Sequence, residues 1–280
     1  MGFITEKTSM PGVTVTVLGC GADIRCPAGK LGTAIIQGLL RSCGQASEAG
    51  PQKYLHSISR IIAAVRHKDR LELLIKSLVT HVEAHTCPLD FVIADNVEAV
   101  RRADVVFLAC HPNQATECLG GIGMQDAIAG KLVISVLGGV SVATLEQAVY
   151  SSSRRPASGQ APCHIVRAIA NTAAARRQSI TVVTQEETAK SHEKASLCED
   201  VLRRLGQVAY VSSDQMPAAT ALCASGTAFF TTYLDAMIRG AVSEGLGEHA
   251  ATRLAALTMA GGGDYAWRRH CRRPEGVGRG

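Results

Sequence analysis

The stretch VLGCGADIRCPAGKLGTAIIQGLL, Val17 to Leu40, decides how the N-terminal half of this chain is read. It begins as the end of an apolar strand and finishes as a helix with apolar residues at helical spacing. Between the two lie Gly19, Gly21, Gly29 and Gly32. Strand, glycines, helix is the order of a dinucleotide-binding turn, which needs G-x-G-x-x-G. Gly19 and Gly21 fit, but position 24 is Ile. A phosphate loop of the form G-x-x-x-x-G-K-[ST] fails as well, because Leu31 follows Lys30 and Ile24 stands five residues before Gly29. Setting aside Ala22 to Gly29 leaves VLGCGKLGTAII, with the full motif between strand and helix. The expectation is therefore an inserted loop over 22–29. Gly19 makes the tight turn, Gly21 lets the backbone approach a pyrophosphate, and Gly32 lets helix and strand pack closely. Cys20, Lys30 and Leu31 complete the cofactor turn. The competing reading is an ordinary Gly-rich loop.

The pattern outward from this stretch favours the first reading. Short apolar strands are expected at 13–19, 60–66, 91–96, 103–110, 131–139, 164–170 and 179–184. Helical periodicity appears at 31–42, 69–79 and 141–150. Strands alternating with helices imply a parallel α/β sheet. Beyond 184 the character changes to one helical stretch at 186–205, a short strand or linker at 207–212, and Ala/Leu-rich helix from 214 to 262. Two domains follow: an α/β domain over 1–185 and a helical domain over 186–280. Residues 265–280 hold five Arg against one Glu and read as a basic tail without fixed structure.

Composition narrows the function classes. The chain has 280 residues, 46% of them hydrophobic and only 4% aromatic, which suits helices on a buried sheet. No apolar run approaches the roughly 20 residues of a membrane span, and the first residues lack a secretory pattern. The formal charge of +5 comes mostly from the tail, so no folded basic face for nucleic acid is expected. Ten Cys occur without C-x-x-C or zinc-finger spacing. They read as reduced thiols of a cytoplasmic protein, with no metal site.

The end of the second strand speaks to the cofactor. An acidic residue there would hold a ribose diol, whereas a basic one meets a 2′-phosphate. The chain reads IIAAVRHKDR, offering Arg66, His67 and Lys68 before the first acid, Asp69. This favours NADP(H) over NAD(H), a solvated basic turn being the alternative.

Together these segments resemble the pyrroline-5-carboxylate reductases, in particular their fungal members. The resemblance rests on VLGCG…KLGTAIIQGLL, AAVRHKDRLELL, DNVEAVRRADVVFLACHPNQA, KLVISVLGGVSVATLE, HIVRAIANTAA and above all ATALCASGTAFFTTYLDAMIRGAVSEGLGEHAATRLAALTM, in that order, over about residues 13–262. It implies a Rossmann-type cofactor domain followed by a smaller all-helical dimerisation domain. It implies NADPH, with NADH less favoured, and a homodimer or higher homo-oligomer acting on pyrroline-5-carboxylate. By position, Gly19, Gly21 and Gly32 fall on the cofactor glycines, Arg66 and Lys68 on the 2′-phosphate turn, and Asn96 near the adenosine. Ala109, Cys110 and Pro112 fall on the strand end lining the cofactor. Asn171 falls near the nicotinamide, and Ser225, Gly226, Thr227 and Thr232 fall on the substrate loop. Asn171, Ser225 and Thr232 are thus the expected catalytic positions. The sequence departs from the family pattern at His111 (usually Lys), at Ala170, Ala173 and Thr227 (usually Pro) and at Ser213 (usually acidic, Asp214 being adjacent). It also departs after 260, where GGGDYAWRRHCRRPEGVGRG replaces a P-G-G segment.

The implied reaction is hydride transfer to a cyclic imine, giving proline. It asks mainly for orientation, since the imine is protonated before attack. Other readings stay open: another NADP-dependent imine or β-hydroxyacid reductase, or a cofactor-binding form without full catalysis. The small residues Ala228, Ala236, Gly240 and Ala241 suit either an intramolecular core or a dimer seam.

Overall fold

The structure, a computed structural model, describes residues 12–20, 27–44, 55–81, 87–150 and 161–271. The strands are β1 (Val13–Leu18), β2 (Ile58–Val65), β3 (Leu89–Ile93), β4 (Val105–Leu108), β5 (Leu132–Ser135), β6 (His164–Ile169), β7 (Ser179–Thr184) and β8 (Gly206–Val211). The helices are α1 (Pro27–Gly44), α2 (Lys68–His81), α3 (Asn96–Arg101), α4 (Ala115–Leu119), α5 (Met124–Ile128), α6 (Val142–Val149), α7 (Gln185–Thr188), α8 (His192–Arg203), α9 (Met216–Ala219), α10 (Gly226–Ser243) and α11 (Glu248–Cys271). The chain divides into two compact units, 1–224 and 225–280.

The first unit is built on one sheet of order β3-β2-β1-β4-β5-β6-β7-β8. The strand order reverses between β1 and β4, the place where an α/β sheet opens a ligand crevice at its carboxyl edge. Val13, Val15 and Val17 point into a core shared with Ile35, Ile36 and Leu39 of α1, Leu74 of α2 and Val201 and Leu202 of α8. Leu18 points the other way, with Val100 of α3, Leu119 of α4 and Leu145 of α6. The two-residue period of β1 thus feeds one core above the sheet and one below. Thr16, on the second face, is fully buried because its hydroxyl donates to the Ala99 carbonyl at 2.9 Å.

Several expectations are corrected. The helix after β1 starts at Pro27, so residues 27–29 form its first turn rather than the end of a loop. Proline at the head of a helix gives up an N–H that has no intrahelical partner there. Gly21 and residues 22–26 lie outside the described residues. The sheet is not wholly parallel: β6 and β7 run antiparallel, Ala168 opposite Val183. The link from Ile169 to Ser179 holds a 3₁₀ turn, Thr172–Arg176, and is too short for a crossover to a parallel neighbour. The stretch 186–205 is two helices, parted where Ser191 caps α8 by accepting the Lys194 N–H.

The expected boundary at 185 lies inside the first unit. β8 pairs with β7, and α8 supplies core residues. Asp200, buried on α8, accepts the backbone N–H groups of Leu55 and His56 at 3.1 and 2.9 Å, fastening the approach to β2. Arg204 adds a hydrogen bond to the His56 carbonyl.

The second unit is a helical pair. After α10 the Leu246 N–H bonds the Ala241 carbonyl and the Gly245 N–H bonds the Val242 carbonyl, the paired termination that caps a helix before a turn. The helix α11 then runs through Gly261–Gly263 to Cys271, so residues 265–271, expected in an unstructured tail, are helical. Among the described residues of this unit only Gly226, Ala251 and Ala255 are buried, while Phe229, Phe230, Tyr233, Leu254, Leu257, Tyr265 and Trp267 are more than half exposed. Ala228, Ala236 and Gly240 are exposed too, so they form no core inside the unit.

Candidate active site

The carboxyl edge of the sheet is shaped first by Gly19. Its φ is +88°, and a Cβ built there would stand 2.4 Å from the Cys110 nitrogen and 2.5 Å from the Cys110 Cα. The turn after β1 therefore lies against the turn after β4, bare of side chain. Gly32 sits inside α1, where a Cβ would come 3.1 Å from the Gly19 carbonyl and 3.5 Å from the Ala109 methyl. Gly19 needs its freedom of φ and Gly32 its lack of a side chain for these close approaches. Ala109 is buried in the core between them.

Cys20 turns its side chain into the core. Its thiol donates to the Val17 carbonyl at 2.8 Å and its N–H to the Ala64 carbonyl, and burial pushes the thiol well above its ordinary pKa. Leu31 packs on the core. Lys30 is exposed and lines a cleft of about 660 Å³ with Thr33, Gln37, Ser77, Thr172 and Arg176. That cleft shares no residue with the one holding Arg66, so Lys30 is not gathered with the other cofactor candidates.

The second cleft, about 320 Å³, lies at the ends of β2 and β3 and is lined by Arg66, Ala94, Asp95, Asn96, Glu117, Cys118 and Gly121 among others. Ala94 adopts a left-handed φ of 56°, costing about 1 kcal/mol or more for a residue with a Cβ. That bend turns the chain from β3 into α3. Asp95 caps α3 by accepting the Glu98 N–H at 2.8 Å, and Asn96 Nδ2 donates to the Cys118 carbonyl at 3.4 Å. Arg66 Nη2 stands 2.8 Å from Glu117 Oε2. Lys68 opens α2, exposed. A bare backbone turn beside an exposed guanidinium is a donor set suited to nucleotide phosphates.

At the β4 end the Cys110 and Cys118 thiols hydrogen-bond to each other, which raises the pKa of Cys110 and lowers that of Cys118. His111 caps the 3₁₀ turn Pro112–Gln114 through Nδ1, which accepts the Asn113 N–H at 3.3 Å, and Pro112 heads that turn.

Asn171 is more committed than expected. Its Oδ1 accepts the Ala173 N–H at 3.0 Å, its Nδ2 donates to the Cys223 carbonyl at 2.9 Å, and its N–H reaches Ser179 Oγ at 3.3 Å. It joins the β6 end to the π-helical turn Thr220–Ser225, and single π turns often mark functional sites. In the second unit, Ser225, Gly226 and Thr227 open α10, with Ser225 exposed and Gly226 buried. Thr232 is exposed, and its hydroxyl donates to the Ala228 carbonyl at 3.1 Å. Ser225 and Thr232 are seven residues apart, on one face of the helix.

The sequence reading missed Asp95, Glu117, Cys118 and the role of Cys223. The D-x-x-E spacing of Asp95 and Glu98 is a helix-start signal that marks the first. Nothing local marks Glu117, because its partner lies 51 positions earlier and meets it only through the strand order. Among the described residues no group of three His, Cys, Asp or Glu side chains is placed to hold a metal ion, and no helix is long and apolar enough to cross a membrane.

Residues 213–277 match the family model described as pyrroline-5-carboxylate reductase dimerisation, and residues 27–139 the one described as NADP oxidoreductase, coenzyme F420-dependent. A pyrroline-5-carboxylate reductase of Acremonium sp is 83% identical over 255 residues, 91% of this chain and 78% of that protein. The chain belongs to the pyrroline-5-carboxylate reductase family. Another such reductase, from Lophium arboricola, is 37% identical over 258 residues, 89% of this chain and 76% of that protein. The fold also matches the crystal structure of the Plasmodium falciparum pyrroline carboxylate reductase with NADP bound, at a TM-score of 0.63 and 17% identity, over 94% of this chain and 80% of that one. The dimerisation match of this reductase spans α9, the π turn, α10 and α11.

Proposed function

We propose that this chain reduces 1-pyrroline-5-carboxylate to L-proline with NADPH, in the cytoplasm and as a homodimer or larger homo-oligomer. The observation that carries the reading is the Arg66-lined cleft, one strand away from the bare Gly19 turn, in a chain 83% identical to a reductase of that name. The choice of NADPH over NADH is supported by Arg66, His67 and Lys68, which follow β2 directly where an acid would hold a ribose diol. The oligomer is supported by the dimerisation match and by the aromatic side chains that α10 and α11 leave exposed. The cytoplasm is supported by eight described cysteines that are free thiols.

When bound, the dihydronicotinamide supplies a hydride to the imine carbon, and the imine nitrogen takes its proton from solvent. This chain's residues bind and orient. Arg66 and Lys68 would hold the 2′-phosphate, and Asn96 would be the residue on the adenosine side. The Gly19 turn lets the pyrophosphate approach the backbone, with Gly21 as the expected second glycine. Ala109, Cys110 and Pro112 form the β4 wall. Asn171 holds the β6 end in place through its three hydrogen bonds. The hydroxyls of Ser225, Thr227 and Thr232 and the N–H groups opening α10 receive the substrate carboxylate, the charge a helix start favours. No side chain is asked for general acid–base work.

The test is proline formation from the imine by the purified full chain, followed as loss of NADPH absorbance and by chromatography of the product. Turnover with NADPH supports the reading. NADPH binding without proline would leave a cofactor-binding form, and reduction only of other imines or β-hydroxyacid precursors would move the chain to another reductase class.

A further inference from the structure

We propose that Glu117 sets how tightly this chain holds a 2′-phosphorylated nucleotide, by competing with the phosphate for the Arg66 guanidinium; the inference rests on the NADPH reading above. Arg66 leaves the end of β2 with its side chain 44% exposed, and Glu117 projects from α4 with its side chain 64% exposed. Their 2.8 Å contact lies on the wall of the 320 Å³ cleft. The ionisable groups lining that cleft, the Cys118 thiol aside, are Arg66, Asp95 and Glu117. Asp95 is occupied with the α3 cap, so Glu117 is the acid that takes the guanidinium.

A phosphate monoester carries about −1.5 to −2 charge at neutral pH and presents three acceptor oxygens. It accepts the guanidinium fork better than one carboxylate oxygen does. The phosphate therefore wins, but only after the existing pair has been given up, and with a carboxylate left nearby. A nucleotide with a free 2′-hydroxyl does not need the fork, so Glu117 is close to neutral for it. The pair thus lowers the discrimination between NADPH and NADH below what Arg66 alone would give. An exposed ion pair of this kind is worth a factor of roughly 1.5 to 5 in binding, and removing the carboxylate's repulsion brings the expected gain to about 2- to 10-fold.

The experiment measures dissociation constants by fluorescence titration of NADPH and NADH and by calorimetry of 2′,5′-ADP and 5′-AMP. It compares the full chain with Glu117→Gln, Arg66→Gln and the double variant. Glu117 is exposed, so its amide variant keeps the fold, and the fragment nucleotides read binding without any reaction. Glu117→Gln should tighten NADPH and 2′,5′-ADP several-fold and leave NADH and 5′-AMP within about twofold. The double variant should bind like Arg66→Gln, because the carboxylate acts only through the guanidinium. Equal tightening of all four ligands would overturn the competition, as would unchanged or weaker NADPH binding. If the parent chain prefers NADPH, and Arg66→Gln removes that preference while Glu117→Gln leaves it unaltered, only this inference fails. If the parent chain binds NADPH no better than NADH and Arg66→Gln changes neither, the NADPH reading fails and takes the inference with it.

Discussion

Replacing Gly19 by Ala tests the geometry on which the cofactor turn depends. Two costs combine. The backbone at φ +88° disfavours any residue with a Cβ, by about 1–2 kcal/mol. The new methyl would also lie 2.4 Å from the Cys110 nitrogen and 2.5 Å from its Cα, atoms that no side-chain rotation can move away. Overpacking of that kind costs about 1–3 kcal/mol, so the expected total is about 2–5 kcal/mol, a large part of a typical stability of about 5–15 kcal/mol. Gly139 separates the two terms, because its φ is +76° but nothing lies within 4 Å of its would-be Cβ. Gly139→Ala should cost only the backbone term, about 1–2 kcal/mol. Urea unfolding followed by circular dichroism measures both. With a slope of about 3 kcal/mol per molar, Gly19→Ala should lower the midpoint by about 1 M and Gly139→Ala by about half that. A Gly19→Ala midpoint no lower than that of Gly139→Ala would refute the close approach of the β1 and β4 turns.

Asn171→Ala removes a turn cap and the bond to the Cys223 carbonyl. It should cost about 2 kcal/mol and lower kcat far more than cofactor affinity, read by thermal melts and NADPH titration. Asp90, despite a burial cost, is held below the usual carboxylate range by hydrogen bonds from Arg60 and Arg102. A depressed folded-state pKa stabilises above the ordinary carboxylate range and is lost on acidification. Asp90→Asn should therefore be about 1 kcal/mol less stable than the parent near neutral pH, with the gap closing as the pH falls through the carboxylate range in urea melts. A hydrogen bond from Cys87 lowers Cys43 to about 7, so Cys43 should be the fastest of the described thiols to alkylate at neutral pH, and Cys87→Ala should slow it, as peptide mass mapping would show. Phe229→Glu with Phe230→Glu places charge on an exposed aromatic patch and should shift an oligomer to monomer in sedimentation velocity without unfolding the first unit.

The regular part of the fold was legible because burial imposes period and length. SITVVT names β7 to the residue, and the Thr/Val alternation names β1. What the sequence hid depends on partners distant along the chain. Pro27 is a helix-start signal, whereas the glycine spacing alone points to a start near Gly32. The direction of β7 depended on counting the link after Ile169 against the length of a crossover. The boundary at 185 was placed where the alternation stops, although Leu197, Val201 and Leu202 still belong to the sheet's core. At the site, residues set by backbone demands could be read, as with Gly19 and Gly32. Cys20 could not, because strand and turn together decide which way its thiol points. Glu117 could not, since only the placement of β4 beside β1 brings α4 to the end of β2.

The carboxylate that fastens the start of β2 has a consequence in time. Leu55 waits for an acceptor 145 residues further along the chain. At about 5–20 residues per second, a ribosome needs about 7–30 s to deliver Asp200 after Leu55 has been made. During that interval the core that holds Ile35, Ile36 and Leu39 of α1 also lacks its α8 members. The nascent chain must therefore carry an unfinished apolar face through the synthesis of most of its sheet, and a ribosome stalled near residue 185 should hold a chain that proteases cut rather than a finished domain.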